Sequence, residues 1–232
     1  MSNIFNVVLY QPVFHILVFI YQKISFHDLG FAIVILTAAV RIILFPLFYK
    51  SAKHQAIMQR IQPKVKEIQE KHKEDKAKQG AELMNLYKEH KINPFSGILV
   101  LIIQLPIIIA IYEVILKETT KDIFSNFIFL GLFNLREANI IIAVIASALQ
   151  YLQMRLALPP EMRRGGKGNP VAQTGKIMLI MGPAFSLLIL SRLPSALGLY
   201  WLASTVFSIA QQIFVNKKIS GSNNAPKSKT TI

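Results

Sequence analysis

One arginine and a set of hydroxyl, indole and amide side chains, all set in apolar runs, are the groups in this sequence suited to chemistry. Arg41 falls within LGFAIVILTAAVRIILFPLFY, residues 29–49. Roughly 20 residues at about 1.5 Å each cover the hydrocarbon of a bilayer, so this run is long enough to cross. A central arginine costs about 2.5 to 3.5 kcal/mol on insertion scales, and each Leu, Ile, Val or Phe returns roughly 0.3 to 0.6, so the run inserts despite its cation. An intramembrane cation marks a site facing a polar cavity; the bland alternative is an arginine that snorkels to the headgroups beside Tyr49 and Lys50. Thr37 lies one turn outward on the same face. In residues 199–215, Trp201, Ser204, Ser208 and Gln211 recur at helical spacing, with Gln212 as the alternative last member. Ser147, Gln150 and Gln153 come from residues 138–157, and Gln104 and Tyr112 from residues 94–116. Taken singly, such residues tie helices together at about 0.6 to 2 kcal/mol. Converging with an arginine, they describe a hydrated groove whose substrate-binding residues are Arg41, Thr37, Gln104, Gln150, Trp201, Ser204 and Ser208. One acid, Glu113, is placed to neutralise Arg41, though it lies ~12 Å away along the membrane normal. Unpaired, Arg41 is available to a transient acidic partner.

Other chemistries find no support. The chain has no cysteine, and its five histidines form no HxH or HxxxH pair, so no metal and no cofactor is expected. No GxSxG, HExxH, paired intramembrane acids or phosphate-cradling glycine loop is present, which argues against a hydrolase, an ATPase and bond-making catalysis generally. The net charge of +14 points to membrane surfaces, because the cations flank the apolar runs, and no direct nucleic-acid function is expected.

The elements that must position these residues are membrane spans. The chain is 53% hydrophobic with a mean hydropathy of +0.43. The pattern predicts an all-α polytopic membrane protein whose five transmembrane helices cover residues 28–49, 94–116, 138–157, 177–190 and 199–215. Residues 1–27 read as an interfacial amphipathic helix started by Pro12, with no basic region ahead of it to mark a cleaved leader. Residues 50–93 read as a charged helical hairpin, with Pro63 breaking the first helix and residues 73–80 forming the turn. Its expected seams are Val65, Ile68 and His72 against Ala77, Ala81, Met84 and Tyr87. Residues 117–137 form a loop whose apolar centre, 123–132, dips toward the interface. Residues 158–176 form a short basic loop, Gly182-Pro183 kinks the fourth span, residues 191–198 turn the chain back, and residues 216–232 are a basic, disordered tail. With five spans, twenty Lys and Arg fall on the side of the hairpin and tail and five on the other, leaving Arg41 within the membrane. Positive-inside then puts the N-terminus outside and the C-terminus in the cytoplasm.

Four blocks carry a resemblance to a known family: RIILFPLFYK (41–50), MQRIQPKVKEIQEKHK (58–73), NPFSGILVLIIQLPIIIAIY (93–112) and LPSALGLYWLASTVFSIAQQ (193–212). In this order the sequence resembles the YidC/Oxa1/Alb3 membrane protein insertases, in the short form without a large extracytoplasmic β-domain. Val100 and Ser195-Ala196-Leu197 depart from the commoner pattern. The resemblance implies a five-helix core around a hydrophilic groove, open to cytoplasm and lipid and closed to the outside, in a bacterial plasma membrane. It implies that Arg41 is the groove arginine and that residues 50–93 are the mobile hairpin needed for activity. The implied partners are nascent membrane proteins, the ribosome and targeting machinery, the lipid bilayer and the Sec translocon. A different class remains open, an anion channel or small-solute transporter using Arg41. Paired broken helices in inverted repeats would favour it, and no such internal symmetry is visible.

Overall fold

The computed structural model describes residues 5–93, 96–118, 123–158 and 170–221. Arg163, Arg164, Lys167, Lys121 and the tail beyond residue 221 lie outside them. The described chain is mainly helical. A single π-helical stretch, Asn6–Tyr10, leads into α1 (Gln11–Lys23), whose Pro12 occupies the first turn, where its missing N–H is not needed. Helix α1 buries Val13, Leu17, Ile20 and Tyr21 and leaves Ile16 and Phe19 outside, as an amphipathic helix should. Phe26 and His27, at φ 52° and 62°, turn the chain, and Asp28 caps α2 (Leu29–Ile43) by accepting the Phe31 N–H at 3.0 Å.

The apolar run 29–49 is not one straight rod. Helix α2 ends at Ile43, and α3 (Phe45–Lys71) leaves at 71° to it. Pro46 explains the break: it lacks an N–H and its ring crowds the carbonyl four residues back, that of Ile42, yet it fits the first turn of a new helix. Arg41 therefore sits in the last turn of α2, not in the middle of a continuous span. Pro63, by contrast, does not break α3, which runs through it to Lys71. The hairpin turn falls at residues 72–75, earlier than the sequence suggests. Asp75 sets the start of α4 (Lys76–Glu89) by accepting the Lys78 N–H at 2.9 Å, so Gly80 lies inside the helix. The seam is also different on this side. Leu83, Leu86 and Tyr87 pack against Ile61, Val65 and Ile68, while Ala77, Ala81 and Met84 face outward.

Helix α5 (Ser96–Glu118) is followed by a two-stranded antiparallel hairpin, β1 (Ile128–Phe129) with β2 (Phe133–Asn134), turned by Leu130 and Gly131 at positive φ. This hairpin sits against α2, where Gly30 leaves the room that Phe129 fills: a Cβ there would overlap the ring. Asn139 caps α6 (Ile140–Ala157) through the Ile141 and Ile142 N–H groups at 2.9 and 3.3 Å. Helix α7 (Pro170–Leu190) runs through Pro183 without interruption, and α8 (Ser195–Gly221) closes the described chain.

Helix α8 is the hub, packing along α6, α2 and α3 and touching α5, while α7 lies on α6. Its approach to α6 needs Gly198, where a Cβ would stand 2.8 Å from Ile142 Cγ2. Among the described residues, α6 and α8 are each long and apolar enough to cross a membrane, and the bent pair α2–α3 is a third candidate. The apolar parts of α5 and α7 are shorter, Ile102–Leu116 and Gly175–Leu190.

Candidate functional site

The break at Leu44 and the stripe on α8 together build the site. Because α3 turns away at once, Phe48 folds back beneath Arg41, its ring centroid 4.2 Å from the guanidinium carbon. From α8, Ser204, 3% exposed, presents its hydroxyl oxygen to the same group. Arg41 Nε donates to Ser204 Oγ at 3.0 Å, and Nη2 donates to that oxygen as well. From α5, the Gln104 amide donates to the Tyr200 hydroxyl and, at 3.4 Å, to Ser204 Oγ. Four helices thus meet at one cation whose partners are neutral. Among the described residues no carboxylate pairs with Arg41. Glu113 is buried on α5 nine residues beyond Gln104, or about 13 Å along the axis, and is not its partner.

The other sequence-derived candidates divide. Trp201 Nε1 donates to Gln150 Oε1 at 2.9 Å, a bond that ties α8 to α6 away from Arg41. Ser147 and Ser186 approach to 3.3 Å and tie α6 to α7. Thr37 is buried but donates to its own helix at Ile33 O, 2.7 Å, and does not reach Arg41. Ser208 likewise donates to Ser204 O at 3.1 Å and borders a cavity with its remaining surface. So Arg41, Gln104 and Ser204 come together, while Gln150 with Trp201 forms a separate pair. Tyr200 and Phe48 were missed. Tyr200 stands one turn before Ser204 on the same face, a legible signal, whereas Phe48 reaches Arg41 only through the bend.

One cavity borders the cation and a second lies next to it. The smaller, about 340 Å³, is bordered by Arg41, Gln211, Phe45, Phe207 and Phe214. The larger, about 480 Å³, lies between α3, α6 and α8 and is lined by six glutamines, Gln55, Gln59, Gln62, Gln153, Gln211 and Gln212. Gln211 borders both. His54 also faces the larger one, and burial, followed by Lys50 and Lys53, holds its ring below the ordinary imidazole range, so it is neutral at neutral pH.

Fold and site define a class: a helical membrane protein with a half-buried arginine held by neutral groups beside a cavity. The family described as 60Kd inner membrane protein matches residues 19–223. The membrane protein insertase YidC of Syntrophus aciditrophicus is 35% identical over 208 residues, covering 90% of this chain and 36% of that protein. The membrane protein insertase YidC of Wolinella succinogenes is 35% identical over 219 residues, covering 94% and 39%. A crystal structure described as an active YidC insertase with its first transmembrane domain resolved matches at a TM-score of 0.63 and 28% identity, covering 90% of this chain and 46% of that one. The chain belongs to the YidC family of 60Kd inner membrane proteins. It spans less than half the length of these relatives.

Proposed function

We propose that this chain is a membrane protein insertase and chaperone. It captures polar or acidic flanks of nascent membrane proteins at Arg41 and releases their apolar segments into lipid. The observation that carries this reading is the neutral coordination of Arg41: one serine oxygen and one phenyl ring leave its charge uncompensated. A polar flank crossing hydrocarbon must shed water, and a cation beside a cavity lowers that cost for an acidic flank. The apolar segment leaves sideways, its burial in lipid driving the step without nucleotide. Thr37, Gln104, Gln150, Trp201, Ser204 and Ser208 line or brace the path.

The reading includes five spans, α2, α5, α6, α7 and α8, with the N-terminus outside, in a bacterial plasma membrane. The apolar cores of α5 and α7 are short, but the whole helices, 23 and 21 residues, reach about 34 and 31 Å, enough for a core ~30 Å thick. The excess of cations around α3, α4 and the end of α8 supports the orientation. The ribosome and targeting machinery would meet those cytoplasmic surfaces, alone or beside the Sec translocon. The test is purified protein in liposomes with no translocon and no ATP. Protease-protected insertion of a single-span substrate, without release of small anions, supports the insertase. Anion release without insertion selects the channel or transporter instead.

A further inference from the structure

The larger cavity carries a second binding chemistry. Residues 50–93, which supply half its wall, hold eleven Lys and Arg and six Asp and Glu, yet none of these lines the cavity. Its polar side chains are mainly amides, six glutamines from three helices with Asn93, beside three serines and His54. Two of the six serve the fold. Gln59 donates to the Leu156 carbonyl at 3.2 Å and to that of Ala157, and Gln212 donates to Asn216 Oδ1 at 3.0 Å. The amides of Gln55, Gln62, Gln153 and Gln211 make no bond among the described residues. Gln211 Nε2 and His54 Nδ1 are buried there without a partner, an arrangement that a fold alone does not favour.

We infer that this cavity binds extended polypeptide main chain, reading peptide groups and not side chains. The inference rests on the proposed role in handling nascent chains and names what that role leaves open. A primary amide offers donors and an acceptor together, matching the C=O and N–H of a peptide group. A lining with no Lys, Arg, Asp or Glu and a single histidine suits neither a phosphate, which calls for Arg or Lys, nor a metal, which calls for carboxylate or imidazole clusters. Gln55 and Gln62 are two turns apart on α3, about 10.5 Å, the reach of roughly three extended residues. A volume of about 480 Å³ lies within the range of small-molecule pockets and takes a few residues of chain. Because Gln211 borders both cavities, a segment whose backbone lies among the glutamines presents its side chains toward Arg41. Backbone binding would serve any sequence, and Arg41 would add the preference for acids.

The test uses the full chain in liposomes. A single cysteine replaces Ser51 on the cavity wall of this cysteine-free chain and carries a benzophenone. The probe is a synthetic neutral peptide of Gly, Ala and Ser, compared with the same peptide N-methylated at alternate residues, which removes N–H donors. The expected result is crosslinking to the parent peptide that falls roughly tenfold on N-methylation, the loss of one or two neutral hydrogen bonds. The double variant Gln153→Met and Gln211→Met, its thermal midpoint checked, should lose crosslinking likewise and slow insertion equally for acidic and neutral flanks. Crosslinking indifferent to N-methylation, adducts to phospholipid alone, or a defect confined to acidic flanks would each overturn the inference. Peptide crosslinking is read without insertion activity, so its failure is distinct from failure of the insertase reading.

Discussion

Removing the oxygen that holds Arg41 should change stability in a way that reveals the bond. Ser204 is nearly fully buried and accepts two N–H groups of a cation, one at 3.0 Å. A hydrogen bond to a charged group contributes about 1.5 to 3 kcal/mol, and because both donors share one oxygen we count it once. Ser204→Ala should therefore destabilise by about that amount, since the Gln104 contact it also loses is long at 3.4 Å. Arg41→Met behaves differently. It forfeits the same bond and the Phe48 contact, worth about 0.5 to 2 kcal/mol, but removes the cost of holding a cation within hydrocarbon, about 2.5 to 3.5. These oppose each other, and the single variant should lie near wild type. The double variant should then show a coupling of about 1.5 to 3 kcal/mol. The assay is reversible unfolding in mixed micelles by increasing SDS, on wild type, both singles and the double. Additivity within about 0.5 kcal/mol would refute the bond and the site geometry built on it.

Two further outcomes test the surrounding frame. The Tyr21 hydroxyl, on a fully buried ring, accepts the backbone N–H of Ser125 at 3.0 Å and of Asn126 at 3.1 Å. Tyr21→Phe leaves both donors short and should cost about 1 to 3 kcal/mol, seen as a lower thermal midpoint with faster proteolysis near residue 125; an unchanged midpoint contradicts it. Pro46→Ala restores the N–H that the break lacks and should reduce the 71° bend, lengthening the distance between spin labels at residues 33 and 57; an unaltered distance would mean packing on α8 imposes the bend.

Much of the site was legible because helical spacing is a local property. Trp201, Ser204 and Ser208 are read off α8 as a stripe, and an arginine among aliphatic residues stands out without any tertiary information. What the letters hid was direction. A count of apolar residues treats 29–49 as one rod, and Pro46 enters it only as one more neutral letter, although it sets where Arg41 ends up and why Phe48 meets it. Proline also misled in the other sense at Pro63, where a helix supported by its neighbours carries one lost bond without breaking. Thr37 looked like a partner of Arg41 by spacing alone, but its hydroxyl is satisfied within its own helix. The hairpin turn was misplaced because Gly80 was weighed as a breaker above Asp75 as a cap.

The central claim is that Arg41 acts through an uncompensated charge. A unit charge at ~6 Å and an effective dielectric near 20 is worth about 2.8 kcal/mol, or roughly a hundredfold in a rate. The direct measurement is the insertion rate of two single-span substrates differing only in an acidic or neutral translocated flank, into liposomes holding wild type, Arg41→Lys or Arg41→Ala. Arg41→Ala should slow the acidic-flank substrate by up to that factor and leave the neutral one near wild type, with Arg41→Lys retaining much of the activity. Equal slowing of both substrates, or full activity of Arg41→Ala on the acidic flank, would contradict charge capture at Arg41.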